Sequence, residues 1–398
     1  MATATQPQQR QASPQQINQM QRQAVLSQSV EMIQSIYSGT ISPTSNNLLN
    51  INPRNVGLIK KFIVEIVGTL NNTSTTASAT LTDTGIYNLL SNVTFLDLNN
   101  NTRINTTGYH LGVLSTAKRR KPFASCGNYN TANTNNLSQG VNVPPASWPL
   151  LVAPPTIAEG TSATVRAVFE VPLAYSDDDL RGAIYANVIN ANMQLSMTFN
   201  QNAFNGGVTN DYTNAVYFGT TGTFSSATIN VYQVYLDQLP VNQKTGQVVL
   251  PIMDLSTIYE LKNTNFSAIS TNNDFPIPYA NFRDFQSTIL LFNNNGMASG
   301  RAFGTDINYL ALQSANFTNI FKVDPLMVAL WSREIFNAEL PAGTYYFSHR
   351  KRPISTTQFG NMELIINPSV AASGAYAQVF WEDFALVNTL VNAGSLAG

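Results

Sequence analysis

Apolar residues return at every second position in several short windows of the chain, and long uncharged polar stretches separate those windows. In residues 58–67, Leu58, Phe62, Val64 and Ile66 alternate with Lys61, Glu65 and Val67, the pattern of a strand with one face toward water. Residues 164–171 place Val165, Ala167, Phe169 and Val171 on one side. Residues 193–200 set Met193, Leu195, Met197 and Phe199 inward against Gln194, Ser196, Thr198 and Asn200. Further strands are predicted at 91–98, 228–236, 248–262, 285–293, 344–348, 362–367 and 376–384. In the window 248–262, Leu255, Thr257, Tyr259 and Leu261 share one side, with Ser256, Glu260 and Lys262 mostly on the other.

A spacing of three to four residues marks the predicted helices. Ile17, Met20, Ala24, Leu26, Val30, Ile33 and Tyr37 recur in that rhythm through residues 15–37, behind a Gln-rich start too polar to bury a core. This helix reads as amphipathic. Ser176 followed by Asp177, Asp178 and Asp179 puts a capping hydroxyl and three carboxylates at a helix N-terminus, with Gly182 weakening the interior. Capping accounts for these carboxylates without a calcium ion. Two more helices are expected, at 305–316 and after Asp324, where Pro325 takes the first turn. Leu326, Ala329, Leu330 and Ile335 form the apolar side of the latter before Pro341 and Gly343 close it.

Residues 235–261 hold a join. Tyr235 closes one strand-like run, then Pro240 and the polar stretch 242–246 interrupt the pattern before it resumes at Gln247. On each side of the join the order is strands, a helical insertion, then strands, with no residue-level repeat linking the halves. Short strands between long Asn/Thr/Gly loops point to antiparallel sandwiches, not to a parallel sheet with crossover helices. The fold class is all-β.

Composition narrows the function. At 398 residues the chain is long enough for two cores. Charged residues make up 11% and the net charge is -1, which argues against a whole-chain affinity for nucleic acid or acidic lipid, because that affinity needs a surplus of Lys and Arg. Asn, Thr, Ser and Gln carry the polar surface instead, leaving little electrostatic repulsion between neighbouring copies. One cysteine, Cys126, forbids an internal disulfide or a multi-thiolate zinc site, and His110 and His349 are the two imidazoles. The N-terminus lacks the charged start and apolar core of a signal peptide, and no apolar run approaches the ~18 residues of a membrane span. A soluble, unexported product is expected.

Catalytic chemistry finds no motif. The sequence holds no G-x-S-x-G element, phosphate-cradling glycine loop or zinc-spaced His/Cys set. A carboxylate pair for sugar hydrolysis would come from distant strands and leave no local trace. Two basic clusters stand out: Lys118, Arg119, Arg120 and Lys121, and His349 with Arg350, Lys351 and Arg352. Such clusters contact phosphate, pair with acids such as Asp177 to Asp179 on a neighbouring subunit, or stay solvated. No cofactor and no enzymatic activity are expected.

Six segments carry a resemblance: NVGLIKKFIVEI from Asn55, VPLAYSDDDLRGAIYANV from Val171, YLDQLPV from Tyr235, LPIMDLSTIYEL from Leu250, GTDINYLA from Gly304 and LVNAG from Leu390. In that order, over nearly the whole chain, they resemble the major capsid protein of tectiviruses, icosahedral bacteriophages with a membrane inside the shell. The resemblance implies a double jelly roll, two eight-stranded jelly rolls side by side with helical insertions. Residues 1–52 would form an arm and helix, 53–240 the first roll, 241–390 the second and 391–398 a tail. It also implies a homotrimer with a pseudo-hexagonal outline, a lattice of such trimers, and vertex and minor capsid proteins as partners. The protein would sit in the virion after assembly and in the host cytoplasm before it. The family's DNA lies beneath the membrane, so no direct nucleic-acid contact is expected. The family's N-terminal helix lies at the inner face of the shell, which makes Arg10, Ile17, Met20 and Arg22 candidates for membrane contact; packing under its own domain is the competing reading. The alternative function is a carbohydrate-binding or carbohydrate-cleaving phage spike, which would need an exposed aromatic platform among Trp148, Trp331 and Trp381.

Overall fold

The alternation read in the first half folds into two facing sheets. The computed structural model describes residues 12–82, 85–119, 153–187, 192–205, 215–267, 269–294, 297–298, 306–315, 317–336, 340, 343–349, 354–371 and 374–385. One sheet runs Val30–Ile41, Gly222–Asp237, Leu58–Asn72, Ser162–Pro172, each pair antiparallel. Facing it, Leu48–Ile51, Gln194–Phe199, Leu90–Leu96 and Thr102–Thr106 lie side by side. Phe62, Val64 and Ile66 meet Val93, Phe95, Leu195 and Met197 in the gap, where the Phe62 and Phe95 rings are 5.5 Å apart. Each such side chain contributes roughly 1.5–3 kcal/mol by leaving water, so the period-2 pattern fixes which face turns inward.

The second half repeats the plan. Phe275–Pro278, Met362–Pro368, Ile307–Ser314 and Phe317–Val323 form one sheet. Ile258–Phe266, Tyr376–Ala385, Arg283–Asn294 and Thr344–Ser348 form the other. Ile277, Leu310, Leu364 and Ile366 pack with Leu290, Phe292, Val379 and Trp381 in a core of their own.

The two sandwiches share a sheet. Ile258–Phe266 lies parallel to Thr102–Thr106 through Leu261↔Ile104 and Lys262↔Asn105, so a single ten-stranded sheet runs from one half into the other. In its second-half part, successive residues go to different cores. Leu290, Phe292, Tyr345, Phe347, Val379 and Trp381 face the second core, whereas Ile289, Leu291, Tyr346, Phe380 and Phe384 join the first. A strand dry on both faces reads as an unbroken apolar run; residues 289–292 are such a run.

Helix Gly108–Arg119 fills the seam between the first sandwich and this sheet. Its Tyr109 and His110 rings lie 6.0 and 5.1 Å from Phe380. Gly112 is pressed against Tyr87, whose ring would meet an added Cβ at 2.3 Å. The polar–apolar pattern gives no sign of this helix, because Tyr109, His110, Leu111, Val113, Leu114 and Ala117 are all buried and no wet stripe is left.

Four expectations are corrected. The N-terminal helix is Pro14–Gln28, not 15–37; the chain turns at Ser29 into an edge strand whose first residues are exposed on both faces, which disguises its period. Residues 305–316 contribute a strand, Ile307–Ser314, in which a bulge between Ile307 and Tyr309 gives Ile307, Leu310 and Ala311 a helix-like spacing. No helix follows Ser176. Its hydroxyl accepts the Asp179 N–H at 3.1 Å, but Asp179 then turns to Arg181, and Gly182 has φ +88 with Tyr259 too close for a side chain. Residues 248–262 are strand from Ile258 only, after a short helix Ile252–Leu255, and Glu260 is buried.

Candidate assembly surfaces

The N-terminal helix is built to stay in one place. Ser13 and Gln16 close a capping box, each side chain bonding the other's backbone N–H, and Pro14 occupies the first turn. One face carries Asn18 and Arg22. Asn18 Nδ2 donates to Asp254 Oδ1 at 2.9 Å, while Arg22 grips the same carboxylate from Nε at 2.5 Å and Nη2 at 2.6 Å. Met253 N–H closes the loop on Asn18 Oδ1 at 3.0 Å. Asp254 is buried in the short helix that opens the second half, and its hydrogen bonds raise the Arg22 pKa further. Arg22 is therefore engaged within the protein. Ile17 and Met20 are exposed, as are Ile252 and Met253 on the short helix that packs against theirs.

Lys118 is partly buried and engaged within the chain. It ends the seam helix with its Nζ donating to the Tyr175 carbonyl at 2.7 Å and the Tyr259 hydroxyl at 2.8 Å, 3.1 Å from Glu382 Oε1. Glu382 is fully buried and also accepts from Tyr259 at 2.8 Å and Ser287 at 2.5 Å. Within the chain its charge balances a carboxylate that would otherwise be buried without a cation. Asp177 and Asp179 are likewise engaged within the chain, by Lys60 and Lys61 and by Arg181. Arg10, Arg120, Lys121, Arg350, Lys351, Arg352, the Arg119 side chain, Cys126, Trp148, Pro341 and the tail 391–398 lie outside the described residues.

Both histidines are buried beside this seam. Thr106 Oγ1 lies 2.7 Å from His110 Nδ1, and burial pushes the imidazole down to about 3 against the pull of Glu382, with Lys118 adding to the fall. His349 is pushed down to about 4 by burial, again against Glu382. A second cluster joins Glu260, Lys262, Arg283 and Asp383. Burial lifts the Asp383 carboxyl to about 7, Arg283 opposing and Glu260 adding to the rise. Among the described residues no group of three or more His, Cys, Asp and Glu is placed to hold a metal ion.

The outward apolar residues gather on a few elements. Helix Pro325–Phe336 buries Val328, Ser332 and Phe336, with Phe336 edge-on to Tyr346 at 5.1 Å. Leu326 and Leu330, expected to face inward, are 59% and 50% exposed, next to an exposed Met327. The sequence offers two apolar stripes and the position of strand Thr344–Ser348 selects the other one. Phe282 is 70% exposed and held at φ +58, a conformation a bulky side chain rarely adopts. Trp381 is buried and Trp331 is edge-on to Phe321 at 5.9 Å, so neither supplies the open aromatic platform of a saccharide spike.

Comparison with known proteins decides the family. Residues 1–239 match the N-terminal model of the P3 major capsid proteins and residues 256–398 the C-terminal model. The chain is 36% identical over 384 residues to major capsid protein P3 of Enterobacteria phage PRD1, covering 96% of this chain and 94% of that one.

The chain belongs to the P3 major capsid protein family.

The architecture of this P3-family capsid protein extends to distant relatives. It superposes on a chain of Sulfolobus turreted icosahedral virus with TM-score 0.60 at 13% identity, covering 89% of this chain and 91% of that one. It also superposes on PBCV-1 VP54, as fitted into a reconstruction of the virophage Sputnik, with TM-score 0.50 at 12% identity, covering 89% and 94%. The two sandwiches are the two jelly rolls of a viral major capsid protein, and its place is the capsid of the virion. What periodicity could not reveal were the outward Leu326, Met327 and Leu330 and the inward Lys118 and Arg22. Each is settled by which neighbour the element meets, not by its own spacing.

Proposed function

We propose that three copies of this P3-family chain close into a trimer with six jelly rolls, and that such trimers tile an icosahedral shell around a membrane. The single observation that supports this reading most is the ten-stranded sheet common to both rolls. It fixes the rolls in one orientation, so each chain supplies two corners of a six-cornered outline while the assembly uses closed three-fold symmetry. Leu326, Met327, Leu330 and Phe282 are the exposed apolar groups suited to contacts between copies. In this reading 1–52 is the arm, 53–240 and 241–390 the rolls and 391–398 the tail. The protein acts by assembly and not by catalysis, accumulates in the host cytoplasm before assembly, and meets vertex and minor capsid proteins in the shell. Direct contact with the genome is not part of its role. Ile17 and Met20, not Arg22, are the residues of the helix available to the inner membrane.

Mass photometry of the purified protein tests the core of this reading. The expected particle has three times the 43.4 kDa chain mass, in keeping with the large interfaces of permanent oligomers. A persistent monomer at micromolar concentration overturns it. For the membrane contact, Ile17→Gln with Met20→Gln is expected to reduce flotation of the protein with liposomes; unchanged flotation removes that part alone.

A further inference from the structure

Where the rolls meet, the structure opens a cleft of about 820 Å³ lined by Asn105, Asn263, Asn265, Gln378, Tyr109 and Phe204 among others. Among the described residues none that lines it is a Lys, Arg, His, Asp or Glu. In a chain with basic and acidic clusters elsewhere, the described lining of this cleft is polar without being charged. The side-chain amides of Asn105, Asn263, Asn265 and Gln378 make no hydrogen bond to other described residues. Each therefore offers two N–H donors and a carbonyl acceptor to whatever enters.

The floor belongs to the interior of the ten-stranded sheet. Asn105 lies on Thr102–Thr106, Asn263 and Asn265 on Ile258–Phe266 just past the point where its pairing with Thr102–Thr106 ends at Lys262↔Asn105, and Gln378 on Tyr376–Ala385. Gln378 stands in register with Asn265 on one side and Leu291 on the other. Recognition falls to the side chains. Asn263 and Asn265, two residues apart on one strand, share a face at a spacing of roughly 6.5–7 Å, a distance that suits successive hydroxyl-bearing positions of a sugar chain.

Phe204 supplies the apolar component. Its ring is half-buried and stacked on Tyr217 with centroids 5.6 Å apart at 21°, which fixes its orientation at the cleft. The carbon–hydrogen face of a pyranose packs on such a ring while its hydroxyls turn to amides. The Tyr109 hydroxyl is engaged with Thr344 at 2.9 Å, so its contribution to the cleft is also chiefly its ring. An anionic sugar would lose hydration on entry and find no counter-charge.

We propose that this cleft binds a neutral oligosaccharide of a few pyranose rings. The described lining comes from one chain, so the test applies whatever the oligomeric state of the purified protein. Isothermal titration of the full-length protein, as purified and as assembled shells, with chito-, malto- and galacto-oligosaccharides is the experiment. At least one neutral series is expected to bind saturably. Asn265→Asp, which is exposed and nearly isosteric, and Gln378→Ala are each expected to weaken binding by about tenfold or more, without moving the thermal midpoint. A sialylated oligosaccharide should bind more weakly than its neutral counterpart. The proposal is overturned if no neutral series binds to either form, if binding is indifferent to both substitutions, or if the sialylated ligand binds more tightly.

Discussion

Lys118, at the end of a first-half helix, meets Glu382, on the last described strand of the second half, at 3.1 Å in a seam where the carboxylate is fully buried. Removing Lys118 leaves that carboxylate buried without its cation. Lys118→Met and Glu382→Gln are each expected to lower unfolding stability, with the lysine change costing about 3–5 kcal/mol because the carboxylate left behind is the more deeply buried. The double variant should recover much of that loss. Urea denaturation of the two single variants and the double variant reads the coupling directly; additive losses would mean that the pair is not a unit.

Asp254 holds the N-terminal helix through both Asn18 and Arg22. Asp254→Ala is expected to free Pro14–Gln28 while leaving the sheets intact, at about 2 kcal/mol for loss of charge-assisted hydrogen bonds. Hydrogen exchange over residues 14–28 should speed up selectively. Equal acceleration across the first roll would show instead that the helix is part of the main cooperative unit.

Gly112 leaves 2.3 Å between a virtual Cβ and the Tyr87 ring. Gly112→Ala should therefore destabilise by about 1–3 kcal/mol, despite the better helix propensity of alanine. Pairing it with Tyr87→Leu is expected to relieve the clash. Thermal midpoints of the two variants decide between overpacking and propensity.

Acid should weaken the fold through its two histidines. Unfolded, each titrates near 6.5; folded, His110 falls to about 3 and His349 to about 4. The unfolded chain then takes up protons first as pH drops, so their contribution is complete above 6.5 and is lost as pH falls toward 4, on the order of 3 kcal/mol per histidine. Asp383 works in the opposite direction: raised to about 7 from 3.8, it contributes fully below 3.8 and loses that contribution as pH rises through 7. Two imidazoles outweigh one carboxyl, so stability should decline below pH 6.5. His110→Gln should flatten that decline and Asp383→Asn should raise stability near pH 7. An unaltered acid limb in the histidine variant would contradict the assignment.

Strands with one wet face could be read from the chain itself. Val165, Ala167, Phe169 and Val171, and Met193, Leu195, Met197 and Phe199, are buried as their alternation requires. The helix after Asp324 was legible too, since Asp324 accepts the Met327 N–H at 3.1 Å, as its cap position implies. Legibility failed where burial departs from a simple period. The bulge at Ile307 mimics a helix, the exposed start of Val30–Ile41 hides a strand, and helix Gly108–Arg119 is packed on too many sides to show a stripe. The candidate site was the least readable part. Arg22 and Lys118 look like free cations until Asp254 and Glu382, more than two hundred residues away, close on them.

Successive side chains of the second roll's inner strands serve both interiors, and this bears on how the molecule could be divided. A fragment starting at the join would bare Ile289, Leu291, Tyr346, Phe380 and Phe384 to solvent, a greasy wall that invites clumping. Expressed alone, that half would be insoluble, and a lineage could not exchange it for a foreign module without rewriting the wall. Duplicated in plan, the protein is expected to melt as one.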